Sequence, residues 1–186
     1  MRSSAIWLIT GPPAIGKSTI ISKVVFALRT RGYIVGGCVT KEAKRNGVRV
    51  GFTIHDLMGG TSGDLASTGS MVGPRLGKYR VSLSNLSAIG ASSLRRAAEA
   101  AELIVIDEVG PMELMSPEFR RAVEACYKSA KPILAVVHER MKDPLIELLV
   151  SDPLTKSFEV SLHNREGTVA DLSAQIVAAL GPLKDA

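Results

Sequence analysis

One stretch near the start of the chain decides its fold: Gly11-Pro12-Pro13-Ala14-Ile15-Gly16-Lys17-Ser18-Thr19. It matches the pattern G-x-x-x-x-G-K-[ST], a loop whose successive backbone N–H groups wrap around a polyphosphate. An apolar, strand-like run, Ala5–Ile9, precedes it, and an amphipathic run, Ser18–Leu28, comes after it. That strand, loop and helix order is the context that the motif requires, and the helix N-terminus adds attraction for an anion. We therefore predict that this stretch binds the phosphates of a nucleotide.

Composition narrows the class of protein. The chain has 186 residues, 46% of them hydrophobic and only 4% aromatic, and carries a formal charge of +5. That length suits a single domain, 1–186, with a core of aliphatic side chains. No apolar run is long enough to cross a bilayer, and no basic block interleaved with aromatics suggests nucleic-acid binding. We expect a cytoplasmic monomer without nucleic-acid or membrane partners, in which Cys38 and Cys126 are buried thiols.

Strand-like and helix-like runs alternate along most of the chain, which is typical of a parallel sheet covered by helices. The strand candidates are Ala5–Ile9, Ile34–Thr40, Leu103–Ile106, Pro132–Val137 and Ser157–Leu162. The helix candidates are Ser18–Arg29, Ala88–Ala101, Pro117–Ser129, Asp143–Leu149 and Thr168–Leu180. We predict an α/β fold, a three-layer αβα sandwich with a mainly parallel sheet.

The middle of the chain, about residues 45–85, has a different pattern. The run Gly47–Leu57 partly alternates apolar with polar residues, and many glycines punctuate the segment between Leu57 and Tyr79. Alternation of this kind is typical of antiparallel strands with one solvated face. We predict an insertion of antiparallel hairpins, in which Asp64–Ser67 and Tyr79–Leu83 pair with Gly47–Leu57.

A second motif indicates the chemistry. The aliphatic run Leu103–Ile106 ends in two acids, Asp107 and Glu108. In phosphate-loop enzymes such a strand lies in the same sheet as the loop, and its terminal Asp orients the hydration shell of Mg²⁺. We predict a magnesium site made by the Ser18 hydroxyl and Asp107. Lys17 would spread its charge over the phosphates, and Glu108 would take a proton from the attacking water.

Polar residues after two other strands are further candidates. His138 comes after Pro132–Val137 and would lie beside the phosphates if this strand neighbours the loop strand; the alternative is a solvated histidine that opens a loop. Asn164 and Arg165 come after the last strand and would contact the base or ribose, unless they only form a charged turn. One more cation is expected near the γ-phosphate, but sequence does not choose among Arg45, Arg49, Arg75, Arg140 and Lys78. Glu42 is a candidate partner for one of these arginines.

The chain resembles a known family, the thermophilic-type or cancer-related nucleoside-triphosphatases. The similar stretches occur in the family's order: Gly11 to Thr19, Thr40-Lys41-Glu42, Arg49-Val50-Gly51-Phe52, Val72 to Tyr79, Asp107-Glu108-Val109-Gly110-Pro111-Met112-Glu113-Leu114, Val136-Val137-His138 and Asn164-Arg165. The resemblance implies a RecA-like phosphate-loop fold and slow, Mg²⁺-dependent hydrolysis of ATP, GTP and other nucleoside triphosphates. Two positions depart from the family's pattern, Ala14 where glycine is usual and Lys41 where arginine is frequent.

Two other functions remain open at this point. A small-molecule or nucleic-acid-end kinase would share the loop, the sheet and the size, and the glycine-rich middle would then close over an acceptor. A nucleotide-dependent switch would use hydrolysis only to reset a complex with a partner. Glu108 favours hydrolysis, because a kinase with its own acceptor has less need of a base that activates water.

Overall fold

The computed structural model describes residues 4–70 and 72–183. Residues 1–3, 71 and 184–186, which belong to the predicted domain, lie outside the described residues. The strands are β1 (Ile6–Thr10), β2 (Val35–Arg45), β3 (Val48–Asp56), β4 (Ser62–Ser67), β5 (Arg75–Leu76), β6 (Tyr79–Val81), β7 (Leu103–Val109), β8 (Ile133–Val137) and β9 (Thr155–Glu159). The helices are α1 (Lys17–Thr30), α2 (Leu83–Asn85), α3 (Ser92–Ala100), α4 (Pro117–Lys128), α5 (Pro144–Ser151) and α6 (Arg165–Leu180).

The described strands form one sheet in the order β5-β6-β4-β3-β2-β7-β8-β1-β9. Strands β2, β7, β8, β1 and β9 run parallel, and β3 to β6 continue the sheet as an antiparallel extension. The predicted hairpin insertion is therefore confirmed as part of the same sheet. One predicted pairing is wrong: the segment at Tyr79 pairs with β4 and β5, not with β3, because β4 lies between them.

Two apolar layers cover the parallel strands. Helices α1 and α6 pack on one face, where Trp7, Val105 and Leu134 are fully or almost fully buried. Helices α3, α4 and α5 pack on the other face over Leu8, Ile104 and other side chains. Burial on both faces explains why these strands lack polar alternation. The predicted αβα sandwich is confirmed.

Strand β2 joins the two halves of the sheet. Its first part, Val35–Val39, pairs in parallel with β7, and its second part, Cys38–Arg45, pairs antiparallel with β3. It is longer than the predicted Ile34–Thr40, because the hairpin with β3 satisfies its backbone beyond the core. The carboxyl ends of β2, β7, β8 and β1 meet at one edge of the sheet, where ligands bind in open α/β folds.

Three predicted boundaries differ from the structure. Strand β9 lies about two to three residues before the predicted Ser157–Leu162, because its pairing with β1 begins at Ile6 opposite Thr155. Helix α6 starts at Arg165 rather than Thr168. The helix predicted as Ala88–Ala101 begins earlier, as the short α2, and reaches α3 through a π-helical turn, Leu86–Ala91. Over residues 4–70 and 72–183, no helix combines the length and apolarity that a membrane crossing requires.

Candidate active site

The phosphate-binding motif forms a compact loop between β1 and α1. Gly11, Ala14 and Gly16 all have positive φ angles, 135°, 61° and 110°. Gly16 is the N-cap of α1 and offers no side-chain cap, so the first backbone N–H groups of the helix are available to an anion. Gly11 also needs its missing side chain, because a Cβ there would lie 2.7 Å from the Val160 carbonyl oxygen.

Lys17 lies within this loop. Its Nζ donates hydrogen bonds to the carbonyl oxygens of Gly11, at 2.7 Å, and Pro12, at 2.8 Å. The ammonium group is therefore held against the loop, close to the N–H groups at the start of α1. A lysine in this position brings a positive charge to any phosphate that the loop binds.

The acid pair lies at the end of β7, two strands away from β1 in the sheet. Asp107 is 3% exposed and pairs in register with Val39 of β2. Burial raises the pKa of Asp107 to about 7, while a hydrogen bond with Ser18 and the charge of Lys17 lower it. The influence of Ser18 and Lys17 means that the loop and the acid pair converge, as the sequence predicted.

Glu108 is half-buried beside Asp107, and the peptide bond between them is cis. Burial raises the pKa of Glu108 above its usual value, and the charges of Lys17 and His138 oppose that rise. A carboxyl group between two cations in a partly dry site can ionise near neutral pH while remaining basic. That is the property required of a general base.

His138 comes directly after β8, which lies between β7 and β1. The neighbouring position on which its prediction depended is thus present. Its Nδ1 is buried and has no hydrogen-bond partner among the described residues. A groove of about 440 Å³ opens beside it, lined also by Thr10, Lys142, Glu147 and Glu159. His138 therefore offers an unused polar atom at the edge of the site.

The segment after β9 forms the other wall of the loop. Val160 N donates to Thr10 O at 2.9 Å, so this segment lies against the start of the phosphate loop. Asn164 uses both ends of its amide within the turn: Oδ1 accepts from Ser161 N and Nδ2 donates to Glu159 O, each at 2.8 Å. Arg165 is exposed as the first residue of α6. Their contacts with a base or ribose stay predictions, and the Asn164 side chain holds the turn together.

The candidate cations differ in their surroundings. Arg49 pairs with Glu42 at 2.7 Å and lies over the Phe52 ring, 5.5 Å from its centroid. The predicted partnership of Glu42 with an arginine is thus confirmed. The remaining candidates occupy exposed positions, Arg45, Arg75, Lys78 and Arg140.

Two polar residues near the site escaped prediction from sequence. Glu113 is 3% exposed, and the charges of Glu108 and Asp107 act on it. Thr40 comes directly after the Val39–Asp107 pair, and its buried Oγ1 has no hydrogen-bond partner among the described residues. The available signal for Glu113 was a lone acid between Met112 and Leu114 in an otherwise apolar turn.

The residues present fit a hydrated magnesium ion. Asp107 Oδ2 is buried and lacks a hydrogen-bond partner in the described part of the chain, and the Ser18 hydroxyl lies next to the same carboxyl group. Within those residues, no three or more His, Cys, Asp and Glu side chains group as metal ligands. Such a sparse set suits Mg²⁺, which keeps several waters and takes other oxygens from phosphates.

The fold and this site together define a phosphate-loop α/β protein of the nucleotide-binding class. A family model described as NTPase matches residues 6–173, and the chain belongs to that family.

Named relatives and solved structures agree with this assignment. The chain is 42% identical to "Nucleoside-triphosphatase THEP1" of Thermofilum pendens over 92% of this chain and 95% of the relative. It is 44% identical to the protein of the same name from Methanosarcina acetivorans, over 82% and 83%. Among solved structures, it is similar to THEP1 from Aquifex aeolicus, with a TM-score of 0.80, 26% identity and coverage of 92% and 98%. It is also similar to a human cancer-related nucleoside triphosphatase, with a TM-score of 0.80, 30% identity and coverage of 95% and 99%.

Proposed function

We propose that this chain is an enzyme that hydrolyses nucleoside triphosphates, ATP and GTP among them, to the diphosphate and inorganic phosphate. One observation carries the proposal: Lys17 of the phosphate loop and Glu108 of the acid pair act on each other electrostatically, so both reach the same site. The relatives' name, nucleoside-triphosphatase, supports hydrolysis as the reaction.

Binding in this proposal depends on the loop. The backbone N–H groups of Ala14 to Thr19 hold the β- and γ-phosphates, and the Lys17 ammonium balances their charge. Because these contacts involve phosphates alone, they accept any base. Broad base preference is the consequence, with Arg165 as a candidate for weak contact with the base.

The chemical step requires a base for water. Glu108 accepts the proton of a water molecule whose oxygen bonds to the γ-phosphorus, while the bond from that phosphorus to the β,γ-bridging oxygen breaks. Lys17 stabilises the charge that develops on the leaving diphosphate. His138 is suited to hydrogen-bond the water or the γ-phosphate through a ring nitrogen, depending on its tautomer.

We further propose that Ser18 and Asp107 hold Mg²⁺ through the Ser18 hydroxyl and a water shell oriented by the Asp107 carboxylate. When bound, the ion neutralises charge on the phosphate oxygens during transfer. All of the groups named above belong to one chain, which supports activity as a monomer; light scattering at working concentration tests this. The cytoplasmic location and the absence of nucleic-acid or membrane partners stay predictions from sequence.

The decisive experiment measures phosphate release from ATP and from GTP with Mg²⁺ and no acceptor present. We expect steady release, and a fall in kcat of about 100- to 1,000-fold in Glu108→Gln with KM little changed. Glu99→Gln, at an exposed position of α3, is the matched control and should retain the wild-type rate. Release that depends on an added hydroxyl compound would instead make the protein a kinase, and a fully active Glu108→Gln variant would reject Glu108 as the base.

A further inference from the structure

Glu113 is a buried acid that none of the proposed binding or metal contacts uses. It begins a 3₁₀ turn, Glu113–Met115, shortly after the acid pair, and its side chain is 3% exposed. Burying a carboxyl group is costly unless hydrogen bonds compensate it. Its presence in this turn therefore requires a specific set of contacts.

Those contacts converge on Gly110. The backbone N–H groups of Glu113 itself and of Gly110 hydrogen-bond to the Glu113 carboxyl group. On its other side Gly110 touches Glu108, because a Cβ on Gly110 would lie 2.3 Å from Glu108 Oε1. Gly110 thus separates the two acids, bound through its N–H to one and in contact through its Cα with the other.

The turn that carries these contacts is closed by its own backbone. Leu114 N donates to Gly110 O at 3.0 Å, and Ser116 N donates to Glu113 O at 3.1 Å. Ser116 in turn caps α4 by accepting from Phe119 N at 3.2 Å. The Glu113 carboxyl group is thus anchored to a capped helix start, and through Gly110 it sets the surface on which Glu108 rests.

We propose that Glu113 is a positioning residue for the hydrolysis proposed above, fixing the turn at Gly110 against which the Glu108 carboxyl group packs. Burial raises the pKa of Glu113 well above its usual value, and the charges of Glu108 and Asp107 act in the same direction. A neutral carboxyl group at this place binds the turn without repelling the ionised Glu108. Displacing Glu108 by about 1 Å is enough to lower the rate about 100-fold.

The test is a double-mutant cycle in phosphate release. Glu113→Ala and Glu113→Gln are each measured in the wild type and in Glu108→Gln. In the wild type, we expect Glu113→Ala to lower kcat about 10- to 100-fold with KM within about twofold. Glu113→Gln should lose less, since its amide oxygen still accepts from the turn. In Glu108→Gln, the same substitutions should lower kcat less than about twofold further, because the residue acts through Glu108.

Met115→Ala is the control for lost packing, since it truncates a side chain in the same turn without touching the Gly110 N–H. It should lower the thermal midpoint and keep kcat. Equal losses of kcat from Glu113 substitutions in both backgrounds, or no loss in the wild type, would overturn the positioning role. If Glu113→Ala does not fold, the cycle with Glu113→Gln decides alone. A wild type that releases no phosphate without an acceptor would refute the proposed function itself, before any variant is compared.

Discussion

The Lys17 ammonium and the Glu108 carboxyl group act on each other across the site, although one begins α1 and the other lies near the end of β7. The positive charge of Lys17 lowers the pKa of Glu108 against the effect of burial. The same ammonium is held by carbonyl oxygens of the loop. Phosphate binding and water activation are therefore coupled through one side chain.

The first prediction concerns Lys17→Ala. Removing the ammonium deletes the charge that offsets the phosphates and one of the charges that favours ionised Glu108, so triphosphate affinity and kcat should both fall at least about 100-fold. Titration with a fluorescent nucleotide and phosphate release measure the two effects. Lys23→Ala, on an exposed face of α1, is the matched control. Retained binding in Lys17→Ala would show that the phosphates lie elsewhere.

Asp107→Asn should weaken magnesium dependence more than nucleotide contact. The amide keeps the size of the side chain but loses the charge that orients the hydration shell, so the Mg²⁺ concentration for half-maximal rate should rise about tenfold or more. Nucleotide affinity without Mg²⁺ should stay within about twofold. Asp171→Asn, exposed on α6, serves as control. An unchanged Mg²⁺ requirement would remove Asp107 from the metal site.

Stability of the metal-free protein should fall as pH rises from about 5 to 7.5. Burial raises the pKa of Asp107 from 3.8 to about 7, so the folded state keeps a proton that the unfolded chain has lost. The unfolded state then binds fewer protons, and the free energy of unfolding decreases with pH. Glu108 and Glu113 act in the same direction, because burial raises the pKa of each.

Urea midpoints at several pH values measure this slope. His55, whose pKa burial lowers, acts in the opposite direction, so the comparison with Asp107→Asn isolates the contribution of Asp107. That variant should be less sensitive to pH over the same window. A slope identical to that of the wild type would mean that Asp107 is not the buried acid that titrates.

Ala14→Gly should stabilise the loop. Ala14 has a φ angle of 61°, in the left-handed region that glycine adopts without strain. Relief of that strain should raise the free energy of unfolding by about 1 kcal/mol, after the greater entropy of glycine in the unfolded chain is included. Thermal denaturation with and without nucleotide measures the change. Loss of stability would mean that the φ angle of Ala14 imposes no cost. Ala174→Gly, at an exposed position within α6, is the opposite control, because glycine should weaken a helix.

Local patterns predicted the parts of the site that lie within single elements. The loop is predicted by the spacing of its glycines and lysine, and the acid pair by an aliphatic strand ended by two carboxylates. Predictions were weaker where pairing decides. The end of β9 was misjudged because its register comes from β1, and the Asn164 amide serves the turn in which it lies. The partner of Glu42 needed the hairpin of β2 with β3, which brings Arg49 within reach.

The sequence by itself determined the phosphate loop, the order of strands and helices and the identity of the acids, since these depend on residue spacing and on apolar runs read along the chain. Only the tertiary structure decided that β8 separates β7 from β1, that Glu108 lies between Lys17 and His138, and that Glu113 contacts the same turn from the core. Strand order and burial are products of contacts between distant segments. The pKa values of the acids result from that burial, so they have no signature in the local sequence.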